Sequence, residues 1–264
     1  MQEKSDKKLH ILIANDDGID APGIHALAQR LQKDYKVTMV APSMQRSASS
    51  HSITISKPLT VKKHTFPGLN MKAYSVDGTP ADCVRLALGQ LVEEKVDFVV
   101  SGINRGFNLG MDVLYSGTVS AAVEAAIYKV PSMAVSTEQF DCIEQFSTAA
   151  DYAAILLKLA IENGLKNDVV LNLNVPPLSL SDIKGVKVCR MGNMVYGNYF
   201  VKRAVDENSN DEESEIFDIM GNVFEPEAED MDTFFIKQGY VTVTPLHYDL
   251  TNFKLLKEVS RWFE

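Results

Sequence analysis

Three polar segments, each placed directly after a predicted strand, carry the residues best suited to chemistry. They contain two adjacent carboxylates, Asp16 and Asp17, together with hydroxyl and amide groups, and they run over Asn15 to Gly18, Ala41 to Ser47 and Ser101 to Gly106. Ligands of open parallel sheets bind beyond the carboxyl ends of the strands, so we expect these oxygen atoms to converge on one edge. Carboxylate, hydroxyl and amide oxygens suit Mg²⁺, Mn²⁺ or Ca²⁺ and suit structural zinc poorly.

The adjacent carboxylates Asp16 and Asp17 have two interpretations, a metal site and an ordinary turn. Side chains next to each other on a strand point to opposite faces, so Asp16 and Asp17 can share a metal ion only if the strand ends before them. Gly18 favours such an end, and a divalent cation would relieve the repulsion between the two charges. The alternative is an ordinary turn in which both side chains accept nearby backbone N–H groups.

A glycine-containing loop before a helix supplies a candidate phosphate site. The segment Tyr115-Ser116-Gly117-Thr118-Val119-Ser120 precedes the helical sequence AAVEAAIYK. The free N–H groups and the dipole of a helix N-terminus favour phosphate. Ordinary capping by Ser116 or Thr118 is the competing interpretation. A metal site and a phosphate site on one sheet edge together indicate phosphate-ester chemistry.

The elements that must position these groups are those of an α/β fold with a mostly parallel sheet. Short apolar runs alternate with helix-period segments, as expected for crossover connections. The predicted strands are Leu9 to Ala14, Lys36 to Ala41, Asp97 to Ser101, Ser132 to Ser136 and Val169 to Asn174. The predicted helices are Gly23 to Lys33, Pro80 to Glu94, Thr118 to Lys129 and Ser147 to Asn163. Thr79, Pro80 and Asp82 have the residue types of a helix start, so Asp82 is interpreted as a capping residue.

The pattern changes after Pro176 and Pro177. Strands are predicted at Gly185 to Met191 and Gly239 to Thr244, with a long acidic segment between them, and Thr251 to Phe263 reads as an amphipathic helix. We therefore predict a single domain over residues 1–264, with a core at 9–180 and a C-terminal extension at 181–264. The extension has no apolar core of its own, which favours a protruding hairpin that contacts another subunit.

Charge and composition exclude several classes of protein. The chain of 264 residues has a net charge of −9, which argues against a polynucleotide-binding groove. Twelve acidic residues and no basic ones lie between Asp206 and Asp232, which leaves 23 acidic against 26 basic residues elsewhere, formally +3. That acidic stretch is interpreted as a solvated loop. Apolar runs are far shorter than the roughly 18 residues of a membrane span, and the polar first residues resemble no signal peptide, so a cytoplasmic protein is expected.

Cys83, Cys142 and Cys189 are odd in number and widely spaced. This arrangement matches neither a disulfide framework nor zinc-ligand spacing. We expect three reduced thiols that pack as small apolar residues.

Several longer segments resemble the signature blocks of the SurE family, the survival-protein 5′-nucleotidases. They are LIANDDGIDAPGI, APSMQRSASSHSIT, VDGTPADCVRLAL and VSGINRGFNLGMDVLYSGTVSAAVEAA, and the later GYVTVTPLH is similar to the family's C-terminal part. The blocks occur in the family's order and cover most of Leu9 to Ala126. Ser43 stands where the family often has an acidic residue, whereas Arg46 and Ser47 match.

The resemblance implies a fold, a site and an assembly. It implies a Rossmann-like three-layer domain with a C-terminal extension, a hairpin and helix, that is exchanged between subunits in a homodimer or homotetramer. It implies one divalent cation per subunit, Mg²⁺, Mn²⁺ or Ca²⁺, with ligands from Asp16, Asp17, Ser47 and Asn104. With these ligands, Asp16 and Asp17 would be catalytic. Asn104 and the phosphate site before the helix, Ser116, Gly117 and Thr118, would bind substrate.

The expected reaction is metal-dependent hydrolysis of nucleoside monophosphates by an activated water molecule. The sequence leaves open the preferred nucleotide, the metal, the general acid, and activity on 3′-nucleotides or polyphosphate. His51 is a weak candidate for the general acid, and Arg46 and Arg105 are candidates for contacts with phosphate. An aspartyl-phosphate mechanism and a non-catalytic nucleotide or metal sensor remain as alternatives. A dinucleotide-binding oxidoreductase is disfavoured because Gly-x-Gly-x-x-Gly is absent after the first strand.

Overall fold

A nine-stranded, mostly parallel sheet organises the molecule. The structure is a computed structural model that describes residues 8–138, 143–193, 195–197, 200–203, 215–219, 222–224 and 228–264. Its strands are β1 (His10–Ala14), β2 (Lys36–Pro42), β3 (Val61–His64), β4 (Lys72–Val76), β5 (Phe98–Arg105), β6 (Ser132–Thr137), β7 (Val170–Val175), β8 (Val186–Val188), β9 (Val195–Gly197), β10 (Phe200–Lys202), β11 (Phe217–Ile219), β12 (Asn222–Phe224) and β13 (Val241–Leu246). The α-helices are α1 (Pro22–Leu31), α2 (Pro80–Leu86), α3 (Gly117–Ile127), α4 (Ser147–Glu162), α5 (Asp232–Lys237) and α6 (Leu256–Ser260).

The order of strands in the main sheet is β3-β4-β2-β1-β5-β6-β7-β13-β8. Strands β4, β2, β1, β5, β6 and β7 run parallel to their neighbours, whereas β3 is antiparallel to β4 and β13 is antiparallel to β7. The first strand therefore lies between β2 and β5. The segments that follow β1, β2 and β5 meet at the carboxyl edge of the sheet.

Helices cover both faces of the sheet. Alternate residues of β1 divide between two apolar clusters: Ile11 and Ile13 pack with residues of α1 and α4, and Leu12 packs with residues of α2 and α3. The Ala-rich sequence of α3 allows close approach to the strands, and nine of its residues are buried. The predicted three-layer α/β fold is confirmed.

Most predicted core elements occur within a few residues of their expected bounds. Helix α2 is an exception because it ends at Leu86 and continues as a π-helical turn, Ala87–Leu91. Its start is as predicted: Asp82 N–H donates to the Thr79 hydroxyl, and the Asp82 carboxylate accepts Thr79 N–H. Strands β3 and β4 were not predicted from the sequence. The described helices are all too short or too polar to serve as a membrane span.

The C-terminal residues divide between the main sheet and projecting elements. Strands β8 and β13 extend the sheet beyond β7, whereas β9 pairs with β12 and β10 pairs with β11 as two antiparallel ribbons. The predicted helix from Thr251 to Phe263 is shorter than expected, with α6 followed by a 3₁₀ turn, Arg261–Phe263. Cys83 and Cys189 are buried free thiols. Cys142, residues 1–7 and parts of the acidic stretch, 206–214, 220–221 and 225–227, lie outside the described residues.

Candidate active site

The loop after β1 presents the two adjacent carboxylates beyond the end of the strand. The Asn15 side chain closes a turn, with Nδ2 donating to the Gly18 carbonyl at 2.8 Å and Oδ1 accepting Gly18 N–H at 3.2 Å. Gly18 has φ +104°, a conformation that residues with a Cβ rarely adopt. Because β1 ends at Ala14, the alternation of a strand no longer separates Asp16 from Asp17.

Asp16 is a buried carboxylate held by α3. Its side chain is 4% exposed, and its Oδ1 atom accepts a hydrogen bond from the Thr118 hydroxyl. Burial raises the pKa of Asp16 to about 6, the hydrogen bond from Thr118 opposes that rise, and the charge of Asp17 adds to it. Burial alone disfavours the ionised form of Asp16, and a cation nearby would stabilise that form.

Asp17 is fixed by the other two loops. Its Oδ2 atom accepts Arg105 N–H at 3.0 Å, and its Oδ1 atom accepts Gln45 Nε2–H at 3.2 Å. The same Gln45 amide donates to Ser47 Oγ at 2.8 Å. Burial raises the pKa of Asp17, while the Arg105 backbone and side chain lower it. Residues after β1 and β2 are thus joined by hydrogen bonds to each other and to Arg105, the last residue of β5. The strand runs to Arg105 and does not end at Ser101 as the sequence predicted.

Asn104 lies near the end of β5, where pairing with β6 shifts register between Ser101 and Asn104. Its Nδ2 atom donates to the Gly106 carbonyl at 2.8 Å. This bond fixes the orientation of the Asn104 amide, and the Oδ1 atom is the one that can ligate a cation.

The first residues of α3 pack directly against the Asp16 side chain. Ser116 caps the helix, with Oγ accepting Val119 N–H at 3.0 Å. A Cβ atom at Gly117 would lie 2.8 Å from Asp16 Cβ and 2.9 Å from Ser49 Oγ. Ser49 Oγ is itself buried without a hydrogen-bond partner. A glycine cradle and an unpaired hydroxyl therefore adjoin the buried carboxylate, as expected where a polar or charged group binds.

One cavity of about 680 Å³ is lined by Asp16, Ser47, Asn104 and Ser116 from the predicted site, whereas Asp17, Gly117 and Thr118 are not among its lining residues. The residues that line it come from the loops after β1, β2 and β5 and from the segment before α3: Asp16, Ser47, Ala48, Asn104, Arg105, Gly106, Phe107, Asn108, Asp112, Tyr115 and Ser116. Its volume is in the range of small-molecule sites and far exceeds that needed by a phosphate group alone.

The oxygen-rich composition of the site decides which cations fit. Within the described residues, no group of three or more His, Cys, Asp and Glu side chains is placed to hold a metal ion. Two carboxylates with raised pKa values, a hydroxyl and an amide oxygen form a set for Mg²⁺, Mn²⁺ or Ca²⁺ that retains water or substrate in its coordination. These residues fit such a cation.

Other candidates from the sequence lie in different surroundings. Arg46 donates from Nη2 to Asp77 at 3.2 Å and is not among the residues that line the cavity, whereas Arg105 is. His51 Nε2 contacts Glu124 Oε2 at 2.8 Å, and both residues line a second cavity. This placement removes His51 from the groups that face the first cavity.

Sequence reasoning missed Gln45, Ser49, Phe107 and Asn108 as part of the site. Gln45 and Ser49 flank Ser47, so their proximity in sequence was the available signal. Phe107 and Asn108 follow the Asn104 segment directly, but loop conformation decides which side chains face a cavity.

The structure is an open α/β sheet whose carboxyl edge carries the paired carboxylates, the N-terminus of α3 and a cavity, which is the place where open α/β sheets bind ligands. The family model of survival protein SurE matches residues 11–198. The chain therefore belongs to the SurE family.

Similar proteins cover nearly the whole chain. The chain is 52% identical over 256 residues to 5′-nucleotidase SurE of Clostridium botulinum (strain Loch Maree / Type A3), covering 97% of this chain and 99% of the relative. It is 48% identical to 5′-nucleotidase SurE of Clostridium beijerinckii over 258 residues, 97% of this chain and 100% of the relative. The crystal structure of the SurE protein from Aquifex aeolicus is similar with a TM-score of 0.83 and 38% identity, covering 97% and 100% of the two chains.

Proposed function

We propose that this protein is a 5′-nucleotidase that hydrolyses nucleoside monophosphates to nucleoside and phosphate with one divalent cation per subunit. The observation that carries the proposal is the cavity shared by Asp16, Ser47, Asn104 and Ser116. Membership of the SurE family supports nucleotide phosphatase activity, and the curated relatives bear the name 5′-nucleotidase. Cleavage of 3′-nucleotides and polyphosphate is a further part of the proposal.

Asp16, Asp17, Ser47 and Asn104 would hold the cation. When bound, a divalent cation supplies Lewis-acid activation of the phosphoryl group and of water. The Thr118 hydroxyl fixes Asp16, and the N–H of Arg105 fixes Asp17, so the carboxylates are oriented before substrate arrives.

The N-terminus of α3 would receive the phosphoryl oxygens. Gly117 and Thr118 lie in the first turn, where the helix dipole favours negative charge. The Thr118 N–H already bonds to Asp16, so Gly117 would offer its backbone N–H to a phosphoryl oxygen. Ser116 keeps this turn in place as the helix cap. His51 is engaged by Glu124 and is not assigned the role of general acid.

Attack by water is preferred over attack by an Asp side chain. Asp16 and Asp17 both accept hydrogen bonds from neighbouring elements, and cation ligation would engage their remaining lone pairs. A carboxylate in that state is a poor nucleophile. The aspartyl-phosphate route is the competing mechanism, and hydrolysis in ¹⁸O-water separates the two.

Assembly through the C-terminal extension is part of the proposal. Apolar side chains are exposed on the ribbon formed by β10 and β11 and on residues 250–263: Phe200, Phe217, Ile219, Leu250, Phe253, Trp262 and Phe263. Exposed apolar patches of this kind mark protein contacts. A homodimer or homotetramer would bury them, and neither a polynucleotide nor a membrane is proposed as a partner.

The decisive experiment measures phosphate release from AMP by the full chain. Activity should vanish after treatment with EDTA and return with Mg²⁺ or Mn²⁺. Asp16→Asn and Asp17→Asn should each lower turnover by roughly 10² while the fold is kept. Asp20→Asn changes an exposed carboxylate in the same loop and serves as the control, with turnover close to that of the original chain.

Full activity in a verified metal-free preparation would refute the metal dependence. A protein that binds AMP without releasing phosphate under any metal would instead be a nucleotide sensor.

A further inference from the structure

A buried carboxylate outside the proposed metal site holds one wall of the cavity. Asp232, the first residue of α5, is 0% exposed. Its Oδ2 atom accepts Gly110 N–H at 2.9 Å, and its Oδ1 atom accepts Gly192 N–H at 2.7 Å and Thr233 N–H at 2.8 Å. Gly110 belongs to residues 106–116, here called the cavity loop. Gly192 lies between β8 and β9, just before the ribbon formed by β9 and β12. One side chain thus joins these two regions.

The core strands hold the cavity loop at a different point. Asn108 N–H donates to Asn174 Oδ1 at 2.9 Å, and Asn108 Nδ2 donates to Ser136 Oγ at 2.8 Å. The Asn108 carbonyl accepts Nδ2–H groups of Asn172 and Asn174. Strands β6 and β7 therefore position the loop at Asn108, and Asp232 positions it two residues further along, at Gly110.

Three converging N–H donors explain why the anchor is a carboxylate. An ionised carboxylate only accepts hydrogen bonds, and its two oxygens can receive three donors. Burying a charge costs free energy, and these bonds offset part of that cost, while burial still raises the pKa of Asp232. The approach is close, since a Cβ atom at Gly192 would lie 2.7 Å from Thr233 Oγ1 and 3.1 Å from Asp232 Oδ1.

We infer that Asp232 is a positioning residue for the proposed nucleotidase reaction. It sets the cavity loop through Gly110 and links the placement of that loop to the C-terminal extension, the element proposed to contact other subunits. Five residues of the loop line the cavity beyond Gly106: Phe107, Asn108, Asp112, Tyr115 and Ser116. Displacement at Gly110 would move the substrate-facing wall, whereas Asp16 and Asp17 are held by separate hydrogen bonds from Thr118 and Arg105. The expected effect of Asp232 on catalysis rests on the proposed nucleotidase function.

The variant Asp232→Asn separates the hydrogen bond from Gly110 from the hydrogen bond from Gly192. Its carbonyl oxygen can still accept Gly192 and Thr233 N–H, but its NH₂ group then faces Gly110 N–H, so two donors oppose each other. We expect kcat/KM for AMP to fall by about tenfold, in line with loss of a hydrogen bond to a charged group. Mn²⁺ affinity should stay within about twofold, because Asp232 contacts none of the proposed ligands. Hydrogen exchange should speed up at Gly110 and change less at Gly192.

Asp97→Asn is the matched control. Asp97 also accepts a backbone N–H, that of His10 at 2.9 Å, but it precedes β5 at the opposite edge of the sheet. Its replacement should lower the melting temperature without the loss in kcat/KM. Gly192→Ala tests the contact between Gly192 and Asp232, since its Cβ atom would lie 2.7 Å from Thr233 Oγ1 and 3.1 Å from Asp232 Oδ1 and leaves the carboxylate charge unchanged. This variant should also lower kcat/KM.

Equal activity losses in Asp232→Asn and Asp97→Asn, or unchanged exchange at Gly110, would overturn the inference. If the original chain releases no phosphate from any nucleotide, the proposed function fails. Exchange at Gly110 then still decides whether Asp232 fixes the cavity loop. If Asp232→Asn does not fold, the exchange and kcat/KM of Gly192→Ala decide the question instead.

Discussion

Gly117→Ala tests the closest packing in the site with a single added methyl group. The new Cβ atom would lie 2.8 Å from Asp16 Cβ, 2.9 Å from Ser49 Oγ and 3.0 Å from Asp16 Oδ2. Contacts below 3.0 Å require a shift, and Asp16 is the group nearest to the added atom. Thr118 holds Asp16 through its hydroxyl, so the carboxylate moves only by straining or breaking that bond. The substitution therefore displaces a proposed cation ligand by a fraction of an ångström or more.

The expected effects on stability and activity differ. Overpacking costs about 1–3 kcal/mol. The advantage of alanine over glycine, roughly 1 kcal/mol, applies to a helix interior, and Gly117 is the first residue of α3. The free energy of unfolding should therefore fall by no more than about 1–3 kcal/mol. Misplacement of a catalytic group by about 1 Å costs on the order of 10² in rate. We expect turnover of AMP to fall by about that factor while the melting temperature falls by only a few degrees.

Gly89→Ala is the control for this experiment. An added Cβ atom at Gly89 meets nothing within 4 Å, and no positive φ restricts that position. Phosphate release, Mn²⁺ affinity and thermal unfolding would be measured for both variants. Ser49→Ala combined with Gly117→Ala removes one of the close contacts and should restore part of the turnover. Turnover of the folded Gly117→Ala variant within threefold of the original chain would refute the reasoning.

Single-turnover hydrolysis in ¹⁸O-water should place the label in phosphate, and label in the peptide that carries Asp16 and Asp17 would instead establish the covalent mechanism. Tyr115→Ala should raise KM for AMP by roughly 5- to 100-fold with little change for ribose 5-phosphate, because Tyr115 lines the cavity, is 57% exposed and offers a ring for base stacking. Equal changes for both substrates would contradict a role in base recognition. Deletion after Pro245 should lower association or solubility, as measured by light scattering, and a fully active monomer of that truncated chain would argue against assembly through the terminal segment.

The fold class and the position of the site followed from local patterns in the sequence. Apolar periodicity predicted the strands and helices of the core because the central strands are buried on both faces and α1 and α4 each bury an apolar face. The start of α2 was predicted from Thr79, Pro80 and Asp82 because capping depends on neighbouring residues. The carboxylates after β1 could be assigned to the same edge as the segments after β2 and β5, since parallel strands share one carboxyl edge.

Pairing between distant residues was decided only by the tertiary structure. Strand β3 is a charged strand at the edge of the sheet, and β4 beside it is a short strand with four buried residues and no long apolar run, so neither pattern was recognised. The bond from Thr118 to Asp16 and the pairing of His51 with Glu124 depend on where α3 docks against the loops. The carboxylate of Asp232 reaches Gly110 across 122 positions of the chain. Such contacts arise from the packing of the whole sheet and helices, and residue type and spacing alone do not specify them.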